Sequence, residues 1–266
     1  MKASILLSVL LLSFSSLAQV IPLVKGHAHN DYEHDQPLKE ALNLGYTSIE
    51  IDIHLIGDEL FVSHGRPLVP NKKRTLKVMY LDPLYEIITK NHGQVFPESD
   101  LPLTLLIDFK TKGDEIYWKL KDQLKEYKTL FKEPGSEMPL NIIVSGNVPF
   151  TTILEDHSRL VSIDGRPDDL GIGFHSDFMP LISEDFAKVC NWNGVGTIQP
   201  SELNKIQKLV DQVHRENKKV RFWNIPDQEL VWNTLLVNGV DFINTDRLSD
   251  FQEFYMEKFN KIALEE

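Results

Sequence analysis

Two carboxylates and an imidazole alternate with isoleucines in the run from Thr47 to Gly65, TSIEIDIHLIGDELFVSHG. Side chains of a β-strand point alternately to its two faces, so Glu50, Asp52 and His54 lie in a row on one side. A buried strand rarely holds acidic side chains unless they are paired or bind a metal ion. This run therefore predicts a functional site.

Two more polar residues, Asp108 and Lys110, end another apolar run. Together with Glu50 and Asp52, Asp108 gives three carboxylates on two strands. Such hard oxygen ligands suit Mg²⁺ or Ca²⁺, with water and substrate oxygens completing the coordination. The alternative for any one carboxylate is a structural ion pair with Lys110 or Arg66.

Two histidines, His29 and His64, follow different predicted strands and could flank a phosphorus centre. Imidazole, with an unperturbed pKa of ~6.5, can act as base on an attacking hydroxyl or water and as acid on a leaving alkoxide. A metal ion on a phosphoryl oxygen would offset the charge that develops. Lys110 and Arg66 are candidate phosphate contacts, and His27 either orients the site or binds substrate.

The pair His27-Ala28-His29 also fits a second class, the zinc or nickel amidohydrolase barrels, which open with His-x-His. That class needs further histidines at later strand ends and an aspartate after the last strand, for which His175 and Asp246 are available. The Glu-x-Asp strand has no place in that scheme. A third alternative is a barrel that binds a carbohydrate or phospholipid without catalysis.

Apolar runs and amphipathic segments alternate along the chain, which favours a parallel sheet, and about eight strands favour a closed (β/α)8 barrel. Besides the strand that carries Glu50 and Asp52, which a hairpin joins to 60–63, strands are predicted at 23–29, 103–110, 140–146, 160–163, 195–198, 220–224 and 240–244. Helices are predicted at 37–43, 81–91, 112–131, 148–156, 182–192, from 201, and at 228–237 and 247–258. The carboxyl ends of barrel strands converge, so polar residues distant in sequence can meet there.

Residues 1–18 are predicted to be a secretory signal peptide, and residues 19–266 a single barrel domain. Lys2 precedes a short apolar run, and cleavage is expected after Ala18. The run is too short for the ~20 residues that span a bilayer. The expected location is therefore secreted or periplasmic.

The composition restricts the partners. The formal net charge of −11 argues against nucleic acid as a partner and gives no general attraction to anionic membranes. The single cysteine, Cys190, cannot form an intramolecular disulfide. Stable membrane insertion is not expected, and the oligomeric state is left open.

Three motifs together resemble the PI-PLC-like phosphodiesterase superfamily, which includes the glycerophosphodiester phosphodiesterases. They are HAHNDY at 27–32, SIEID at 48–52 and VSHG at 62–65. The HNDY form, with RTL at 74–76 and LDPL at 81–84, is most similar to the branch named after altered inheritance of mitochondria. The segments IDFK at 107–110 and FWN at 222–224 extend the resemblance toward the end of the chain.

The resemblance implies a metal-dependent phosphodiester hydrolase whose substrate is a small-molecule or lipid-derived phosphodiester. It makes His29 and His64 the acid–base pair. It assigns Glu50, Asp52 and Asp108 to one divalent cation and Lys110 to phosphate. The candidate substrate contacts are His27, Asn30, Arg66 and Trp223. The chain has Asn30-Asp31 where glycerophosphodiester enzymes have Arg-Gly, and Gly65 where they commonly have Asp. These departures leave the substrate head group open but retain the metal ligands and both histidines.

Overall fold

The computed structural model describes residues 20–127, 130 and 139–259. Within them eight parallel strands close into a barrel, and a ninth, β3, pairs antiparallel with β2. The strands are β1 Gly26–Ala28, β2 Ser48–Ile56, β3 Glu59–Val62, β4 Leu103–Phe109, β5 Leu140–Gly146, β6 Ser162–Gly165, β7 Leu181–Asp185, β8 Lys219–Trp223 and β9 Phe242–Thr245. Their spatial order is β1-β9-β8-β7-β6-β5-β4-β2, and a β1–β2 pairing closes the ring. The predicted (β/α)8 barrel is confirmed.

Helices follow the strands. They are α1 Lys39–Asn43, α2 Asp82–Lys90, α3 Gly113–Glu126, α4 Phe150–Glu155, α5 Phe186–Val189, α6 Pro200–Arg215, α7 Glu229–Val237 and α8 Leu248–Phe259. α6 buries Ile206, Val210 and Val213, which recur at three- and four-residue intervals and so share one face. No helix in this part of the chain is both long and apolar enough to cross a bilayer. The predicted cleavage site after Ala18 lies outside the described residues.

The barrel interior has an apolar layer and a polar layer. Leu106, Ile143, Leu181 and Phe242 form a separate buried cluster. Two residues later each of these strands carries a polar side chain, namely Asp108, Ser145, Ser183 and Asn244. Because a two-residue step keeps a side chain on the same face, the polar layer lies nearer the carboxyl ends of the strands. That end of the barrel is the mouth.

Strand register brings the predicted site residues to this mouth. Asp52 on β2 is the register partner of Asp108 on β4. β3 runs back along β2, and the Ser63 N–H donates to the Asp52 carbonyl at 3.1 Å, which places His64 beside Asp52. On the other side of β1, the His29 N–H donates to the Thr245 carbonyl at 3.1 Å.

Two predicted elements are wrong. The helix predicted at 182–192 is a strand, β7, followed by the short α5, because Leu181–Asp185 pairs with both β6 and β8. The strand predicted at 195–198 is a loop. Gly194 and Gly196 hold φ of 85° and 66°, which an extended strand does not allow. The number of barrel strands was nevertheless predicted correctly, because the strand wrongly predicted at 195–198 was counted in place of β7.

Candidate active site

Three carboxylates meet at the mouth of the barrel. Glu50, Asp52 and Asp108 each offer an oxygen, and these oxygens lie within 4.8 Å of one another. Glu50 and Asp52 are buried and Asp108 is partly exposed. No second group of three potential metal ligands occurs among the described residues. The spacing and the all-oxygen donor set suit one hard divalent cation.

Asp52 has one saturated oxygen and one unpaired oxygen. Its Oδ2 accepts from the Tyr32 hydroxyl at 2.7 Å and lies 2.9 Å from Lys110 Nζ and 3.0 Å from His64 Nδ1. Its Oδ1 is buried and has no hydrogen-bond partner among the described residues. Leaving a buried carboxylate oxygen unpaired is costly, and a bound cation would remove that cost. The residues present therefore fit a metal ion.

Glu50 is held from below by a buried arginine. Arg221 on β8 places Nη1 2.5 Å from Glu50 Oε2 and 2.7 Å from His27 Nε2. Burial by itself would raise the pKa of Glu50, but the charge of Arg221 and the contact with His27 together outweigh burial and hold that pKa below its usual range. Glu50 is therefore ionised at neutral pH and available as a metal ligand.

His27 supports this arrangement as a neutral ring. Burial and the charge of Arg221 lower the pKa of His27 to about 4. A neutral ring that accepts from Arg221 at Nε2 carries its proton on Nδ1, which then donates to Ser48 Oγ at 2.7 Å. With both nitrogens engaged and the side chain completely buried, His27 fixes the guanidinium of Arg221, which in turn holds Glu50. Substrate contact, the other role considered for His27, stays a prediction.

The two candidate acid–base histidines are each fixed by a carboxylate. His29 Nδ1 lies 2.7 Å from Asp246 Oδ1, and His64 Nδ1 lies 3.0 Å from Asp52 Oδ2. In both cases Nε2 is the nitrogen left for proton transfer. Burial would lower the pKa of His29, but the hydrogen bond to Asp246 and the charges of Glu50 and Asp246 outweigh burial and raise it.

His54, the third polar residue on this face of β2, fixes the chain at His64. It is buried, and its Nε2 donates to the His64 carbonyl at 3.2 Å. The His64 side chain itself is 71% exposed, so its ring depends on this backbone contact and on Asp52 for its position. His54 thus acts through His64.

Lys110 lies between two of the carboxylates. Its Nζ is 2.9 Å from Asp52 Oδ2 and 3.4 Å from Asp108 Oδ1. Burial would lower the pKa of Lys110, but the charges of Asp108 and Asp52 outweigh it and raise that pKa, so Lys110 stays positive. For Asp108, burial acts in the other direction and raises the pKa, although the charge of Lys110 opposes this shift. Lys110 both balances the acidic cluster and could contact a phosphate.

The other predicted substrate contacts differ in position. Asn30, with φ of 45°, places its side-chain amide 2.9 Å from the Tyr32 hydroxyl and so adjoins Asp52. Trp223 lies two residues after Arg221 and shares its inward side, closer to the mouth. Arg66 is exposed and forms no hydrogen bond or ion pair with any described residue. The structure therefore gives Arg66 no place at the carboxylate cluster.

Two functional neighbours were missed from the sequence. Arg221 was treated only as part of a strand, and Asp246 only as a ligand for the rival metal site. A charged residue at an inward position of an apolar strand was the signal for Arg221, as it had been for Glu50.

A glycine also shapes the site. Gly146 has φ of 74°, and a Cβ there would collide with Asp108 Oδ1 and the Phe109 carbonyl.

Comparison with known proteins agrees with the motifs. Residues 15–163, more than half of the chain, match the AIM6-like phosphodiesterase domain. The Altered inheritance of mitochondria protein 6 homolog of Arthroderma benhamiae is 28% identical, over 86% of this chain and 83% of its own length. Altered inheritance of mitochondria protein 6 of Kluyveromyces lactis is 28% identical, over 88% and 72%.

Solved structures support the fold. A glycerophosphodiester phosphodiesterase from Parabacteroides distasonis superposes with a TM-score of 0.51 at 13% identity, over 90% of this chain and 97% of that one. An enzyme of the same name from Agrobacterium tumefaciens gives the same TM-score and identity, over 87% and 99%. At this identity the likeness establishes the barrel alone.

The prediction of a secreted or periplasmic location is wrong. The relatives are named for altered inheritance of mitochondria, and those names point to a mitochondrial or intracellular role rather than to secretion. The prediction depended on residues 1–18 alone. The apolarity of a short segment determines how strongly it binds a membrane, but it does not specify which membrane receives it.

Proposed function

Because the chain belongs to the AIM6-like phosphodiesterase domain family, we propose that it hydrolyses a phosphodiester using one divalent cation and the pair His29 and His64. One observation carries this proposal. Three carboxylates meet at the barrel mouth, and two histidines beside them are each held through Nδ1 by a carboxylate. The relatives' names extend the proposal to a mitochondrial or intracellular setting.

The charge at the mouth supports a phosphodiester as the substrate. The three carboxylates exceed the two nearby fixed cations, Arg221 and Lys110, by one negative charge. A bound Mg²⁺ or Ca²⁺ would convert this excess into one positive charge. A phosphodiester carries a single negative charge, so the loaded site would complement it. The predicted substrate class is a glycerophosphodiester or a phospholipid head group.

The histidines would divide the proton transfers between them. When bound, the cation polarises a phosphoryl oxygen. His64 Nε2 takes the proton of the attacking water or hydroxyl as the new P–O bond forms. His29 Nε2 gives a proton to the leaving alkoxide as the old P–O bond breaks, a role favoured by its raised pKa. Lys110 stays close enough to the carboxylates to hold a phosphoryl oxygen beside them.

The geometry argues against the amidohydrolase alternative. His27 Nε2 faces the guanidinium of Arg221 rather than a free position, and His175 is exposed and pairs with Asp177. The candidate metal ligands Glu50, Asp52 and Asp108 supply oxygen donors only. A nitrogen-rich zinc or nickel site would need these histidines to converge.

Turnover of a phosphodiester panel tests the proposal. The panel contains glycerophosphodiesters, phospholipids and an activated aryl phosphodiester. EDTA should abolish activity, and Mg²⁺ or Ca²⁺ should restore it. His29→Ala and His64→Ala should each lower kcat by roughly 10²–10⁴-fold, the usual contribution of a positioned acid or base. His175→Ala is the matched control and should leave the rate unchanged, since His175 is an exposed histidine outside the cluster.

Three results would contradict the proposal. Full activity in both His29→Ala and His64→Ala would exclude these two histidines as the acid–base pair. If Zn²⁺ alone restores the activity, the amidohydrolase hypothesis would be favoured. Tight binding of phosphodiesters without turnover would leave a non-catalytic barrel.

A further inference from the structure

The most exposed apolar side chains of the described residues lie on the face that carries the site. Leu68 is 99% exposed, Val69 86% and Val195 73%. Leu68 and Val69 belong to residues 65–74, which follow His64 and are called the rim loop below. Val195 lies in the loop between α5 and α6, which follows the carboxyl end of β7. Scattered exposed apolar residues are ordinary, but an uncovered adjacent pair at a loop tip is not.

The rim loop is anchored at its base. The Val62 N–H donates to the Arg74 carbonyl at 2.8 Å, and Phe61 and Thr75 form an antiparallel bridge. Arg74 Nη2 also donates to the Tyr32 carbonyl at 3.0 Å, which ties the loop to the mouth beside Asp52. Leu68 and Val69 are therefore presented from a fixed support next to the site.

The rim loop is basic although the chain is acidic. Arg66, Lys72 and Lys73 are exposed, and none of the three side chains forms an ion pair with a described residue. Residues 63–76 contain no acidic side chain, whereas the whole chain has a net charge of −11. Charges are screened over ~8 Å at physiological ionic strength, so a nearby surface is governed by these local cations.

We propose that the rim loop docks the barrel mouth onto an anionic lipid surface. Leu68 and Val69 insert among the head groups, and Arg66, Lys72 and Lys73 contact lipid phosphates and carboxylates. An apolar tip combined with several basic residues supplies the two signals that peripheral membrane binding requires. The overall negative charge makes this attachment local and reversible, and it turns the site toward the lipid.

Flotation of the full chain with vesicles tests the docking in EDTA, where hydrolysis is not needed. The chain should partition onto phosphatidylcholine vesicles that contain phosphatidylserine and not onto pure phosphatidylcholine, and high salt should release it. Leu68→Ser with Val69→Ser should lower the partition at least tenfold. Lys72→Ala and Lys73→Ala should each lower it about fivefold, which corresponds to the ~1 kcal/mol of one basic residue at an anionic surface.

Matched controls lie away from the mouth. Val237, 64% exposed at the carboxyl end of α7, tests apolarity in the variant Val237→Ser. Lys205 and Lys208, exposed on α6, test charge in the double alanine variant. Both controls should bind vesicles like the wild type, and all variants should keep the wild-type far-UV spectrum.

Several outcomes would overturn the proposal. They are no flotation with anionic vesicles, wild-type flotation of the Leu68→Ser, Val69→Ser variant, or equal losses in the controls. A concentration-dependent dimer that this variant abolishes would instead assign the loop to a second copy of the chain. None of these results depends on whether the site hydrolyses a phosphodiester.

Discussion

Replacing Arg221 by methionine should destabilise the barrel strongly, because it leaves Glu50 as a buried charge without its cationic partner. Nη1 of Arg221 is 2.5 Å from Glu50 Oε2, and the two side chains are only 4% and 8% exposed. Methionine has a comparable length but no charge or donor. Water has little access to Glu50, so solvent cannot replace the missing guanidinium.

The expected cost follows from this burial. Removing one partner of a buried ion pair costs about 3–5 kcal/mol, a large share of the ~5–15 kcal/mol that stabilises a typical domain. For a chain of this size the loss corresponds to a fall in Tm of roughly 6–20 °C. Substituting an exposed cation such as Lys112, which pairs with Glu115 on the surface, should change stability by no more than about 1 kcal/mol.

The pH dependence of the loss has a definite sign. In the native chain the pKa of Glu50 is lowered, so its contribution is present above the unfolded pKa of ~4.3 and is lost as pH falls through the folded value. Without Arg221, burial raises the pKa of Glu50, and the pKa of His27 is lowered by burial without the added effect of the Arg221 charge. Folding of Arg221→Met then takes up a proton, so its deficit should shrink as pH falls from ~7 to ~5.

Urea unfolding in EDTA, followed by tryptophan fluorescence between pH ~5 and ~8, measures this deficit. The double variant Arg221→Met, Glu50→Gln is the control, since it removes the stranded charge and should recover much of the loss. A loss below about 1 kcal/mol, a loss independent of pH, or no recovery in the double variant would refute the buried ion pair as the support of Glu50.

Two further predictions concern the residues that position the site. Asp246→Asn keeps a hydrogen-bonding oxygen but weakens the hydrogen bond and removes the Asp246 charge, both of which help to raise the pKa of His29, so the alkaline limb of the kcat/KM profile should move to lower pH. If the alkaline limb does not move, His29 is not the group whose titration produces it. Gly146→Ala should cost about 1–3 kcal/mol and weaken Mg²⁺ or Ca²⁺ binding at least tenfold, because its Cβ displaces Asp108. Gly57→Ala, which shares the positive φ but has open space around it, should leave metal binding unchanged in calorimetric titration.

The sequence was most informative where one strand face carried an unusual pattern. Isoleucines at 49, 51 and 53 alternate with Glu50 and Asp52, and this alternation alone indicated a buried strand with a polar inner face. The alternation of strands and helices then predicted the barrel. The structure brings Glu50, Asp52 and Asp108 together, whereas their roles in catalysis stay predictions.

The segment around β7 was harder to assign. Leu181–Asp185 is too short to show a clear two-residue alternation, and it runs directly into the helical residues Phe186–Val189. Short apolar runs of this kind do not distinguish strand from helix. Pairing with the strands on both sides, which is a tertiary effect, decides the conformation.

The partners Arg221 and Asp246 could not be assigned for a different reason. Arg221 meets Glu50 across the barrel interior, and Asp246 meets His29 because β9 pairs with β1. Local sequence does not specify which strands face each other. The sequence pattern could have identified Arg221 as a charged residue that faces the barrel interior, but it could not have identified Glu50 as its partner.

The most direct measurement is the anomalous diffraction of crystals soaked in Mn²⁺, which shares the preference of Mg²⁺ for oxygen ligands. We expect a single peak bonded at ~2.0–2.6 Å to oxygens of Glu50, Asp52 and Asp108, with the Nε2 atoms of His29 and His64 facing the open coordination positions. A crystal with no peak at these carboxylates, or with a peak on His27 and His29 instead, would contradict the proposed phosphodiesterase site.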